Sequence, residues 1–249
     1  MSDGTCRLCS KTKPLVKAHI IPRSFFHRLR GRAKHLFAGI VREKKPVEYS
    51  QSGFWDDSIL CADCESLFAA WDAYGFEVLG IPPGNNHPLS ADADLQAFIL
   101  KNLDYAKLKL FILGTLWRAS ATKHKFFEDV DLGAHEPHIG NLIRIGQPGP
   151  MEEYPIIIGR LIQQRYEQVV FTPCTSKREG VHVCVLYLPA IKIIIRVDKR
   201  PLPPELAAAA LKPFGENIAL PMPLEETEFQ KLQAMKDISR RWQPRRSPK

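Results

Sequence analysis

Six cysteines stand in a chain of 249 residues, and four of them form two C-x-x-C pairs, Cys6 with Cys9 and Cys61 with Cys64. A tight turn brings two thiolates at this spacing onto one side of a tetrahedral ion. A second pair completes four sulfur ligands, the usual set for a structural zinc. The opening residues from Met1 to Lys13 are polar, so no secretory leader is expected, and in an intracellular chain the spacing points to metal before disulfide. The 51 residues between Cys9 and Cys61 make this a split site closed by a long insertion. Metal binding would then contribute folding free energy to a stretch with a thin core. The competing reading is two unrelated pairs of buried or redox-active cysteines, but a thioredoxin-like pair needs a βαβ setting that the surrounding sequence lacks. Cys174 and Cys184 lie in strand-like surroundings and read as plain core residues.

Between the pairs lies Ala18-His19-Ile20-Ile21-Pro22-Arg23-Ser24. An imidazole titrates near neutral pH and can hold and release a proton where hydrolysis must run. Ile20 and Ile21 would anchor a strand in the core and Pro22 would stop it, fixing the ring in place. The bland alternative is a core histidine donating one hydrogen bond. Further along, a helix opening at Asp63 would line up Glu65, Ala69 and Asp72 on one face, because steps of four and three residues bring side chains into register. Glu65 and Asp72 could jointly hold an ion near His19, or they could simply form a solvated acidic face.

The order C-x-x-C, A-H-I-I-P, then L-C-x-x-C opening a helix resembles the HNH endonucleases of the ββα-metal type, in the branch whose zinc knuckles flank the active site. The likeness covers roughly residues 5–80. It implies a metal-dependent endonuclease that hydrolyses phosphodiester bonds of nucleic acid, with His19 as general base, structural zinc on the four cysteines, and Mg²⁺ or Mn²⁺ at the scissile phosphate. Two positions depart from the family pattern. Ala18 stands where an acidic residue often precedes the histidine, and Glu65 stands where a final histidine follows the last cysteine. A carboxylate at Glu65 can ligate a hard cation, or the change can mark a site that has lost catalysis. The family's middle asparagine is matched only loosely, by Asp56 or Asp57.

With 35 Lys+Arg against 27 Asp+Glu, the formal charge is +8, which favours polyanion partners. Arg23, Arg28, Arg30 and Arg32 follow His19 and would meet phosphates, with DNA preferred to RNA as partner. Phe25, Phe26, Trp55 and Trp71 could stack on bases, although packing is the commoner use of aromatic residues in a small zinc module. A second basic cluster ends the chain, Arg240 to Lys249, and reads as a solvated arm.

These residues need elements to hold them, and the expected class is α+β: an N-terminal zinc-stabilised ββα-metal-like module, a central helical segment and a strand-rich C-terminal part. The expected boundaries are 1–90, 91–150 and 151–249, set by Gly80–Ser90 and by the turn Gly146–Pro150. Apolar spacing predicts helices over Asp63–Leu79 and from Asp92 to about Ser120, then a short one at Pro204–Lys212 and an amphipathic one at Glu225–Trp242. β-branched runs predict strands at Ile156–Ile162, Gln168–Thr172, Val181–Leu188 and Ile191–Val197. The C-terminal part carries no catalytic motif and could receive a protein partner or a second copy of the chain. No segment is apolar enough to span a membrane, and a cytoplasmic protein is expected. The alternative to the nuclease is a catalytically inactive zinc-stabilised module that binds nucleic acid or a partner.

Overall fold

The computed structural model describes residues 3–30, 36–38, 48–50, 53–80, 89–92, 97–161, 171–178, 180–198 and 200–222. Its first elements are a hairpin, β1 (Asp3–Thr5) and β2 (Thr12–His19), whose turn holds the first cysteine pair. Ser10 closes that turn at φ 60, donating its amide to the Cys6 carbonyl at 2.8 Å. Ile20, Ile21 and Pro22 are all buried and end the strand, and α1 (Arg23–Arg30) begins straight after. Helix α1 buries Phe25 and Phe26 while Arg23 and His27 stay exposed. Two short strands, β3 (Leu36–Ala38) and β4 (Glu48–Ser50), pair with each other. The chain then returns as β5 (Trp55–Cys61) against β2.

Leu15 lies opposite Cys61 and His19 opposite Trp55, with a bulge between Val16 and Ala18. Helix α2 (Ala62–Ser66) follows Cys61 without a linker, so the second cysteine pair straddles the strand–helix junction. The expected helix over 63–79 is broken at Leu67–Phe68, continues as α3 (Ala69–Gly75), and ends in a π-helical turn at Phe76–Gly80.

The strand-rich part is a seven-stranded sheet in the order β6 (Leu89–Asp92), β7 (Ala97–Leu100), β12 (Asn217–Met222), β8 (Ile156–Leu161), β11 (Ile191–Arg196), β10 (Val181–Leu188) and β9 (Cys174–Arg178). Its pairings are antiparallel except for β12 with β8. Helices α4 (Tyr105–Ala121), α5 (Glu136–Ile145) and α6 (Pro204–Ala209) complete the α+β architecture. Helix α4 is buried on nearly every side: Leu108 to Ala119 are all shielded from solvent. A single hydrophobic cluster runs from Cys6 and Leu15 through Phe68, Phe111 and Trp117 to Ile158, Ile193 and Ala219.

Further expectations need correction. The helix expected from Asp92 starts only at Tyr105; residues 89–92 and 97–100 are strands β6 and β7 of the large sheet. Asp104 sets the true start by accepting the Lys107 amide at 3.0 Å, with Asn102 just before it at φ 54. The strand expected at Gln168–Thr172 does not form where it can be seen, since Phe171 and Thr172 precede β9. The helix expected at Glu225–Trp242, the basic arm and Arg32 lie outside the described residues. The Pro204 helix is shorter than expected, and β12 was not anticipated.

Candidate functional site

The local fold explains how four cysteines so far apart in sequence come together. The β1–β2 turn presents Cys6 and Cys9, and the β5–α2 junction presents Cys61 and Cys64; β2 lies between them in one antiparallel ladder. All four sulfurs lie within 4.8 Å of one another, with Cys9 Sγ and Cys61 Sγ 4.0 Å apart. Four ligands about 2.3 Å from one zinc ion would sit about 3.8 Å apart at the corners of a tetrahedron. The cluster therefore fits a zinc-sized ion, and Cys6, Cys61 and Cys64 are buried as a closed structural site requires.

Its electrostatics are those of a cation site. Burial acts to raise the Cys6 pKa, but it is outweighed by backbone amides of Cys9, Cys61 and Leu8 and by the Cys9 thiol, which bring it down to about 7. Burial and the three neighbouring thiols push Cys64 well above the ordinary thiol value. Four thiolates this close together would repel one another without a cation to share their charge. Cys174 and Cys184 stand apart from the cluster; Cys184 is fully buried, with its pKa raised by burial to about 11.

His19 ends the same strand. It lies four residues beyond Leu15, the neighbour of Cys61 across the ladder, and strand rise puts it roughly 13 Å along β2 from that point. The cysteine cluster thus fixes the strand without lying beside the ring. The Nε2 atom of His19 is buried and has no hydrogen-bond partner. Burial lowers the pKa of the ring first, followed by the charges of Lys17, Arg23 and Arg118; Asp72 acts in the opposite direction. The ring is therefore neutral at pH 7, with an unsatisfied nitrogen.

The Asp72 charge acts on His19, but the carboxylate is occupied. Arg118 grips it with both ends of the guanidinium, Nη1 to Oδ2 at 2.8 Å and Nη2 to Oδ1 at 2.7 Å. Arg118 is 1% exposed and lies 4.5 Å from the centre of the Phe68 ring. Its Nε donates to the Gly114 carbonyl at 3.3 Å. Glu65 sits half-buried in α2, and its charge is not among those acting most strongly on the ring. The two carboxylates are therefore not assembled as a free ligand pair.

Asp56 is also committed elsewhere: Oδ1 accepts from the Ser58 amide at 2.8 Å and Oδ2 from the Thr122 hydroxyl at 2.6 Å, which ties β5 to the end of α4. Arg23 is exposed at the start of α1, and its charge reaches His19. Arg28 and Arg30 belong to the same helix.

Sequence reasoning missed Arg118. Its signal was a lone guanidinium in the apolar run LFILGTLWRAS, where a buried charge demands a partner. It also undervalued Trp55, which is 39% exposed while Phe25 and Phe26 are in the core. Among the described residues no helix is long and apolar enough to cross a membrane. Comparison of the chain with protein-family models, with curated proteins and with solved structures yields no match.

Proposed function

We propose that this chain is a zinc-stabilised phosphodiester hydrolase of the HNH type acting on nucleic acid, DNA before RNA, with His19 as general base. The observation that carries the reading is the buried, unpartnered Nε2 of a neutral imidazole, set among the charges of Lys17 and Arg23. In this reading the two cations hold a phosphate and Nε2 faces the attacking water. The water oxygen bonds to phosphorus as its proton passes to Nε2. The bond from phosphorus to the leaving sugar oxygen then breaks, and that oxygen takes a proton from solvent. Zinc on Cys6, Cys9, Cys61 and Cys64 has an architectural role. The Mg²⁺ or Mn²⁺ of the family chemistry would need Glu65 and Asp72, and Asp72 is engaged by Arg118; no step here is routed through that ion.

The same pair favours a second reading, a zinc-stabilised module that binds nucleic acid without cutting it. Incubation of plasmid DNA and RNA with each divalent metal in turn separates the two. The hydrolase requires metal-dependent cutting that His19→Ala abolishes while zinc content and circular dichroism stay unchanged. Cutting that survives His19→Ala removes the mechanism, and salt-sensitive binding with no cutting in any metal selects the second reading.

A further inference from the structure

Trp55 is unusual among the aromatic residues of the N-terminal module. Phe25, Phe26, Phe54 and Phe68 are each no more than 2% exposed, whereas the Trp55 indole is 39% exposed. Its place is set by the β2–β5 ladder, where it stands directly opposite His19. Residues opposite each other in an antiparallel pair point to the same side of the sheet. Lys17 reaches that side too, because its Nζ lies 4.1 Å from the centre of the Trp55 ring. Arg23, exposed at the start of α1, adds a second cation whose charge reaches His19. An exposed flat aromatic face, a flexible ammonium on top of it and a guanidinium close by are the components with which proteins take up unpaired nucleotides. The base stacks on the ring and the cations take its phosphates.

We infer that Trp55, Lys17 and Arg23 form a platform for an unpaired nucleotide of single-stranded nucleic acid, seated beside His19. When the base arrives, it replaces the Lys17 ammonium on the indole, and the ammonium moves to the phosphate. An unpaired base is required because a base within a duplex has both faces covered by its neighbours. Charge also sets the path of the strand. The groove that Lys17 lines together with Asp3, Asp57, Thr5 and Ser58 sets two carboxylates against one ammonium. Phosphates are repelled there and run toward Arg23 and His19.

The inference rests on the hydrolase reading only for where the strand leads, and its test is blind to cleavage. Fluorescein-labelled oligothymidylate and a duplex of equal length are titrated with the full chain in buffer without added divalent metal, and anisotropy is followed over a range of salt. Trp55→Leu is expected to weaken binding of the single strand by about tenfold with little effect on the duplex or the salt slope. Lys17→Ala is expected to reduce the slope by about one. Trp55→Phe keeps a smaller ring and should fall between wild type and Trp55→Leu, which guards against a folding defect in the leucine variant. Wild-type tryptophan fluorescence should be quenched by the oligonucleotide. The platform is refuted if Trp55→Leu leaves single-strand affinity unchanged, if it weakens duplex binding equally, or if no single-strand binding appears at low salt. Single-strand binding that needs Trp55, without cutting in any metal, removes the hydrolase and keeps the platform; cutting indifferent to Trp55→Leu does the reverse.

Discussion

His19 and Arg118 illustrate two ways in which a buried polar group can be held. The guanidinium of Arg118 is fully compensated: two bonds to Asp72, one to a helix carbonyl and a ring beneath it. Removing one partner of such a pair leaves the other charge stranded. Asp72→Asn is therefore expected to destabilise the fold by about 3 kcal/mol in urea titrations. Replacing both residues by leucine should cost less than that single change, and a single-variant loss below about 1 kcal/mol would mean that solvent already supports the pair.

His19 is the opposite case, a ring with one nitrogen left unsatisfied. Its folded pKa lies below the ordinary value of 6.5, with burial as the largest cause. As pH falls through 6.5, the unfolded chain therefore binds a proton before the folded chain does. Stability is lost between pH 6.5 and the lower folded value, and none of this loss applies at pH 7.5. His19→Gln should flatten that part of the stability profile, measured by denaturant unfolding across the acid range. An unchanged slope in the variant would show that the ring protonates equally in both states.

At the scale of elements, the close approach of α3 to α4 is what sets Asp72 against Arg118. Gly75 makes this approach possible, since a Cβ there would lie 2.3 Å from the Phe111 ring. Gly75→Ala should separate the helices and cost about 1–3 kcal/mol, read as a lower midpoint of thermal unfolding. A midpoint equal to that of wild type would mean that Phe111 has room to swing aside. Elements like these were legible where a single pattern had no rival. The β-branched runs at 181–188 and 191–197 gave β10 and β11 to within a residue, and the two C-x-x-C pairs gave the cluster.

The failures have physical reasons. Leu95, Phe98, Ile99 and Leu103 satisfy helical spacing, yet Phe98 and Ile99 belong to strand β7, and only the Asn102 and Asp104 punctuation separates the two patterns. Strand β12 was obscured by Pro221, which its position in the sheet nevertheless accommodates. The Asp72–Arg118 pair joins residues 46 apart, and no local pattern announces a contact of that range.

For the molecule as a whole, the decisive fact is that the hydrophobic cluster does not stop at the boundaries suggested by the turns at 80–90 and 146–150. Leu8 and Leu15 from the cysteine-bearing hairpin share one core with Trp117 of α4 and with Ile158, Ile193 and Ala219 of the large sheet. Strands β6 and β7, which precede α4 in the chain, sit in that sheet beside β12. Stability gained at the cysteines should therefore be felt across the whole core, because anything that binds only the folded state stabilises everything that unfolds with it. Chelation of the metal, or Cys61→Ser, should lower the thermal midpoint of one common transition. The far-ultraviolet signal of the sheet and the fluorescence of buried Trp117 should move together. Thiolates must lose their protons to bind, so the metal-dependent gain should shrink as pH falls below about 7, where Cys6 is protonated. Two separated transitions after metal loss, one for the hairpin module and one unchanged for the sheet, would show that the shared core does not couple them and that the cysteine cluster stabilises the N-terminal module alone.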